Sequence, residues 1–149
     1  MKTSELTHDA LVAAVAMCLG YTNLHKIEGR WKHEPQFAMT PPNPLYGVME
    51  LWEIGSDCDW EWFGPIIERE KLSIEYMAGA GDAGADVWVA NMTYPDKEFG
   101  GVAFSEEQGP TPLIAAMRCY VASKLGDDVE IPSELTGESA RRGDLTNVS

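Results

Sequence analysis

The sequence predicts an α+β fold: a small antiparallel sheet with two helices packed on one face and a long aromatic loop region closing an edge or cleft. Three observations carry that reading. Two alanine-rich segments, Ala10 to Leu19 and Leu113 to Leu125, each follow a threonine and run into a glycine. Between them, Leu72-Ser-Ile-Glu-Tyr-Met77 and Asp86-Val-Trp-Val-Ala90 flank a glycine-rich turn, as a hairpin does. Around these, rings recur among prolines and carboxylates with no regular period. A chain of 149 residues with 44% apolar content can bury a real core without staples. The expected organisation is one domain over residues 1–135 and a disordered tail over 136–149, where Leu145 and Val148 are the only sizeable apolar groups.

Along the chain, Thr3 to Leu6 reads as a short edge strand. Thr7 is the expected N-cap of the first helix, with Asp9 in its first turn and Gly20 as its stop. That helix is apolar nearly all round, so burial is expected. From Tyr21 to Tyr46, Asn23, Gly29, Pro35, Pro41, Pro42, Asn43 and Pro44 argue for loop, while Trp31 and Phe37 tie it to the core. Gly47 to Ile54 holds a short strand or a helical turn. Asp57 to Glu70 concentrates Trp60, Trp62 and Phe63 before a Gly64-Pro65 stop, which predicts an ordered aromatic loop lining a pocket or interface. Ile66-Ile67 reads as extended. Gly79 to Gly84 is a flexible turn, and Val102 to Phe104 adds a strand. Thr111 then caps the second long helix, with Pro112 at its first position, where a missing N–H costs nothing. Ile114, Met117, Val121 and Leu125 form the expected apolar stripe.

Acidic residues number 24 against 11 basic, a net charge of −13. That disfavours general nucleic-acid binding, which needs a basic footprint, and an anionic membrane surface. It suits solubility or a cationic protein partner. Cys18, Cys58 and Cys119 show no metal or redox spacing and fit a reducing cytoplasm. No signal-peptide pattern opens the sequence, and its longest apolar run is too short to cross a bilayer.

No catalytic fingerprint appears, so no catalytic residue, metal or cofactor is assigned. Asp57-x-Asp59-x-Glu61 resembles the start of a calcium loop, but Trp62 stands where the sharp turn needs glycine. His8, His25 and His33 lack a zinc spacing. The sharper group is Trp60, Trp62, Arg69, Trp88, Thr111 and Arg118. Indoles stack on flat ligands, isolated arginines hold anions, and the amides at the start of the second helix can seat a phosphate or carboxylate. The plainer reading of each is structural: core, ion pair or cap.

The blocks Glu5-Leu-Thr-His-Asp-Ala-Leu11, Cys18-Leu-Gly-Tyr21, Asp59-Trp60 with Gly64-Pro-Ile-Ile-Glu-Arg-Glu70, and above all Gly109 to Gly126 with Glu130-Ile-Pro132, resemble the NinX-like family of small tailed-phage accessory proteins. The Trp60-Glu-Trp-Phe63 wording departs from the more polar link that the family leads one to expect. The resemblance implies phage origin and expression in the cytoplasm of a bacterial host. It carries little about chemistry. Accessory proteins of this size often act on host defence or metabolism, which is an analogy. The expected function is non-enzymatic sequestration of a small anionic, nucleotide-like host molecule in a counter-defence role. The alternative is an acidic inhibitor, in the extreme a nucleic-acid mimic, that engages a host enzyme. An undetected hydrolase is the third reading. A homo-oligomer is compatible with each.

Overall fold

The computed structural model describes residues 1–27, 36–43, 45–55, 60–132 and 135. The expectations for Asp57, Cys58 and Asp59 and for the 136–149 tail lie outside them. The chain adopts the α+β class, with strands in two sheets of three rather than one. It falls into two compact units: the described residues of Leu6–Asp57 and Glu130–Ser149, and those of Met1–Glu5 and Cys58–Val129. The two long helices belong to different units.

In the first unit, α1 (His8–Cys18) is buried from Ala10 to Ala16, as its all-apolar surface requires. Thr7 occupies its N-cap with extended backbone but makes no side-chain cap bond. The C-terminus is more regular. Gly20, at φ +97°, lets its own amide reach Met17 O and that of Tyr21 reach Ala16 O, the two bonds of a Schellman stop. The stretch expected to be loop is a hairpin: β1 (Thr22–Ile27) pairs antiparallel with β2 (Gln36–Thr40), which pairs with β3 (Met49–Glu50). Its mostly polar make-up, with Leu24 and Ile27 three apart, and a register shift at Thr22/His25, beside Asn23 at φ +57°, hide β1 from a period-two reading. Gly47 to Ile54 holds both expected elements, because β3 runs directly into α2 (Leu51–Ile54), started by a Glu50/Glu53 capping box. Helix α1 packs on α2, and α2 on β2 and β3.

The second unit is a three-stranded meander with helices. Helix α3 (Trp60–Glu70) replaces the expected aromatic loop, the Gly64-Pro65 stop and the extended Ile66-Ile67. An interior proline costs about 3 kcal/mol. Phe63 and Ile66 are buried on one face, each worth about 1.5–3 kcal/mol, which offsets Pro65. The helix ends in a second Schellman arrangement, Lys71 N to Glu68 O and Leu72 N to Ile67 O, with Lys71 at φ +56°.

Strands β4 (Ser73–Met77), β5 (Val87–Pro95) and β6 (Val102–Gly109) follow in antiparallel order, and the second and third outrun their expected lengths. Tyr76 faces Trp88, and Trp88 faces Gly109. The β4–β5 turn is tied down rather than slack. Asp86 accepts bonds from the Tyr76 hydroxyl at 2.6 Å and the Gly79 amide at 2.9 Å, and Gly81 N donates to Ala85 O. Helix α4 (Pro112–Leu125) returns across β5 and β6. Its burial, Leu113 and all of Ala115 to Val121, is far wider than the expected stripe, and Leu125 is exposed. Thr111 caps it as expected, its hydroxyl accepting from Ile114 N at 3.1 Å. The N-terminal Thr3 to Glu5 is a single 3-10 turn rather than a strand. The Lys2 backbone forms an isolated antiparallel β-bridge with that of Asp128, and the Thr3 hydroxyl donates to Gly126 O at 2.6 Å.

Candidate functional site

Side chains alternate along a strand, so β6 has two faces of different character. Ala103, Ser105, Glu107 and Gly109 point to α4. The Ser105 hydroxyl reaches the Cys119 carbonyl, and Gly109 lies against the Ala115 backbone. Val102, Phe104, Glu106 and Gln108 point away. At the Gly109 end, β6, the start of β5 and the N-terminal turn frame a groove of about 740 Å³. Among the described residues its charged lining is Glu5, Asp82, Asp86, Glu106, Glu107 and Arg118.

Arg118 is 9% exposed, and its guanidinium donates to Gln108 O at 2.9 Å. Burial pushes the Glu107 carboxyl above its ordinary range, Asp127 pushes the same way, and Arg118 pulls it back. Asp86 moves oppositely. The Tyr76 hydroxyl and then the Gly79 amide hold its carboxylate below the usual range, while the Tyr76 phenol is raised by the same bond.

Of the six residues singled out in the sequence, Arg118 lines this groove. Trp60, Trp62 and Arg69 stand on α3. Trp60 is 51% exposed at the first turn, and Trp62 leans on Phe63 with ring centroids 6.5 Å apart. Arg69 pairs with Glu70 at 3.3 Å and donates to the Tyr120 hydroxyl at 3.3 Å, while Phe63 meets the Tyr120 ring edge-on at 5.8 Å. Tyr120 and Arg118 are two positions apart on α4, about 200° around its axis, so Arg69 and Arg118 serve opposite sides of that helix. Trp88 lies on the α4 side of the sheet, edge-on to Tyr76 at 5.3 Å. At the α4 start Pro112 has no N–H and Ile114 is capped, so Thr111 and Leu113 hold what remains of the first four amides. The six therefore do not converge on one point.

Glu5, Asp82 and Asp86 escaped the sequence reading because they come from distant places in the chain. The adjacent pair Glu106-Glu107 was the one local signal. Among the described residues there is no group of metal-ligating side chains, and no helix is long and apolar enough to cross a membrane.

A family model described as "Bacteriophage P22, NinX" matches residues 2–124. The chain belongs to that phage family. The resemblance carried by the Gly109 to Gly126 block is thereby borne out, and every described residue lining the groove of this NinX family member lies within the matched span, Arg118 included. A search of curated proteins finds no match to it.

Proposed function

We propose that this NinX family member works by binding rather than catalysis, holding a cationic segment of a host protein in the acid-lined groove. The observation that carries this is the charge of the lining: among the described residues Glu5, Asp82, Asp86, Glu106 and Glu107 surround one guanidinium, that of Arg118, which donates to Gln108 O. A like charge at 4 Å costs about 4 kcal/mol near a protein surface, so a phosphate entering here meets repulsion that one arginine does not offset. A lysine or arginine meets attraction.

Capture of a small anionic, nucleotide-like molecule is the second reading. It rests on Arg118 in the groove wall and on the half-exposed Trp60. Either activity would suit a counter-defence role, by analogy with accessory phage proteins.

The test is retrieval of partners from bacterial cells with the wild type and a Glu106→Lys/Glu107→Lys variant, at low and high salt. The expected result is a host protein held at low salt, lost at high salt and lost on charge reversal. If the reversed variant retains the same proteins, the groove is not the seat. A thermal-shift panel of nucleotides runs beside it. A rise in Tm that Arg118→Gln abolishes puts the small-anion reading in first place.

A further inference from the structure

The β5–β6 hairpin presents exposed apolar side chains. Phe99 is 87% exposed, Val102 72% and Phe104 60%. The turn that carries Phe99 is pre-ordered. The Asp96 carboxylate accepts from Glu98 N at 2.9 Å and Phe99 N at 3.2 Å, its backbone bonds Gly100 and Gly101, and both glycines take positive φ. A ring carried on an ordered turn binds with less backbone ordering cost than one on a slack loop. Strand β6 ends its sheet, and its outward row runs Val102, Phe104, Glu106, Gln108 from that hairpin into the acid-lined groove. The row covers about 20 Å, the length of a six- or seven-residue extended segment.

We infer that β6 is an acceptor strand: an extended segment of the partner, apolar at one end and basic at the other, adds to its edge with the apolar end at Phe99, Val102 and Phe104 and the basic end in the groove. The inference rests on the groove reading above and extends it with a binding mode and a polarity. Strand addition supplies main-chain hydrogen bonds, and alternate side chains supply specificity. Charge selects the occupant. No lysine or proline blunts Val102–Gly109, whereas Glu106 and Glu107 sit in its distal half. A second copy pairing on this edge would bring those carboxylates and two net charges of −13 together. A basic segment is drawn to the same place.

The test uses the full chain and synthetic ten-residue peptides read by fluorescence anisotropy. One peptide alternates Ile and Phe in one half and Lys in the other. A second replaces the apolar half with Ser and Thr, and a third replaces Lys with Glu. The expected result is binding of the first peptide alone, weakened at least tenfold by Phe99→Ser/Phe104→Thr and at least tenfold by Glu106→Lys at low salt. Outward amides of β6 should gain at least tenfold protection from hydrogen exchange. Melting of each variant should match wild type, since these side chains are exposed. Equal binding of the Ser/Thr peptide, sensitive to Glu106→Lys alone, overturns the acceptor strand and leaves the groove reading standing. Binding indifferent to Glu106→Lys overturns both. No binding by any of the peptides overturns the acceptor strand, and so does a dimer in sedimentation that Phe104→Thr dissolves.

Discussion

Ser105 and Cys119 bond each other reciprocally. The Ser105 hydroxyl donates to the Cys119 carbonyl at 3.0 Å, and the Cys119 thiol donates to the Ser105 carbonyl at 3.3 Å. The pair clamps the α4 face of β6 to the middle of α4, and the outward face of the same strand is left for Phe104 and Glu106.

Burial pushes the Cys119 thiol up to about 11, so at pH 8 it is neutral and out of reach. Iodoacetamide should spare Cys119 in the native protein and modify it once guanidinium unfolds the chain, as peptide mass mapping will read. Ser105→Ala should lower stability by about 1 kcal/mol in denaturant melts, because a bond to a buried carbonyl is lost. Rapid native alkylation at Cys119 would show that the clamp opens readily.

Gly109 and Gly64 should respond oppositely to alanine. A methyl at Gly109 would lie 2.6 Å from Ala115 N, against backbone that cannot yield, and Gly109→Ala should cost about 1–3 kcal/mol. At Gly64 nothing lies within 4 Å, and Gly64→Ala in mid-helix should add about 0.5–1 kcal/mol. Thermal melts of the two variants check the signs.

Lys71 takes φ +56° at the end of α3, a conformation that costs a side-chain-bearing residue about 1–2 kcal/mol. Lys71→Gly keeps both Schellman bonds and should raise stability by up to about 1 kcal/mol. A fall in Tm would mean that the lysine side chain contributes more than its backbone costs.

Glu107 sets a pH dependence. Its folded-state pKa lies above the unfolded one, so the folded chain holds the proton longer. The resulting penalty is absent below the unfolded pKa, grows as pH rises through the window between the two, and is complete above the folded pKa. Glu107→Gln should therefore melt above wild type at pH 7, with the gap closing as pH falls through the carboxylate range. Asp127→Asn should reproduce part of the gain, and Arg118→Gln should deepen the penalty. A gap that widens toward low pH would reverse the assignment.

What was legible in the sequence was local. Thr111-Pro112 marks the α4 start, Gly20 the α1 stop, and the alternation through Ile74 and Tyr76 marks β4, because neighbouring residues decide each. Helix α3 was hidden by Gly64-Pro65, whose breaker signal outweighs the three-residue spacing of Phe63 and Ile66, its two buried side chains. Strand β1 was hidden by polar residues and an irregular register. Arg118 stood out as a rare arginine in an apolar helix, but the carboxylates opposite it are gathered by strand pairing and by the N-terminal turn, which no window of sequence contains.

The N-terminal turn has a kinetic consequence. Thr3 finds its partner at Gly126, 123 positions later. On a ribosome adding 5–20 residues each second, Thr3 waits roughly 6–25 s for that partner to be made. The second unit therefore closes only after α4 has been synthesised, and a fragment truncated within α4 should leave Thr3 without this bond and its turn open to proteolysis.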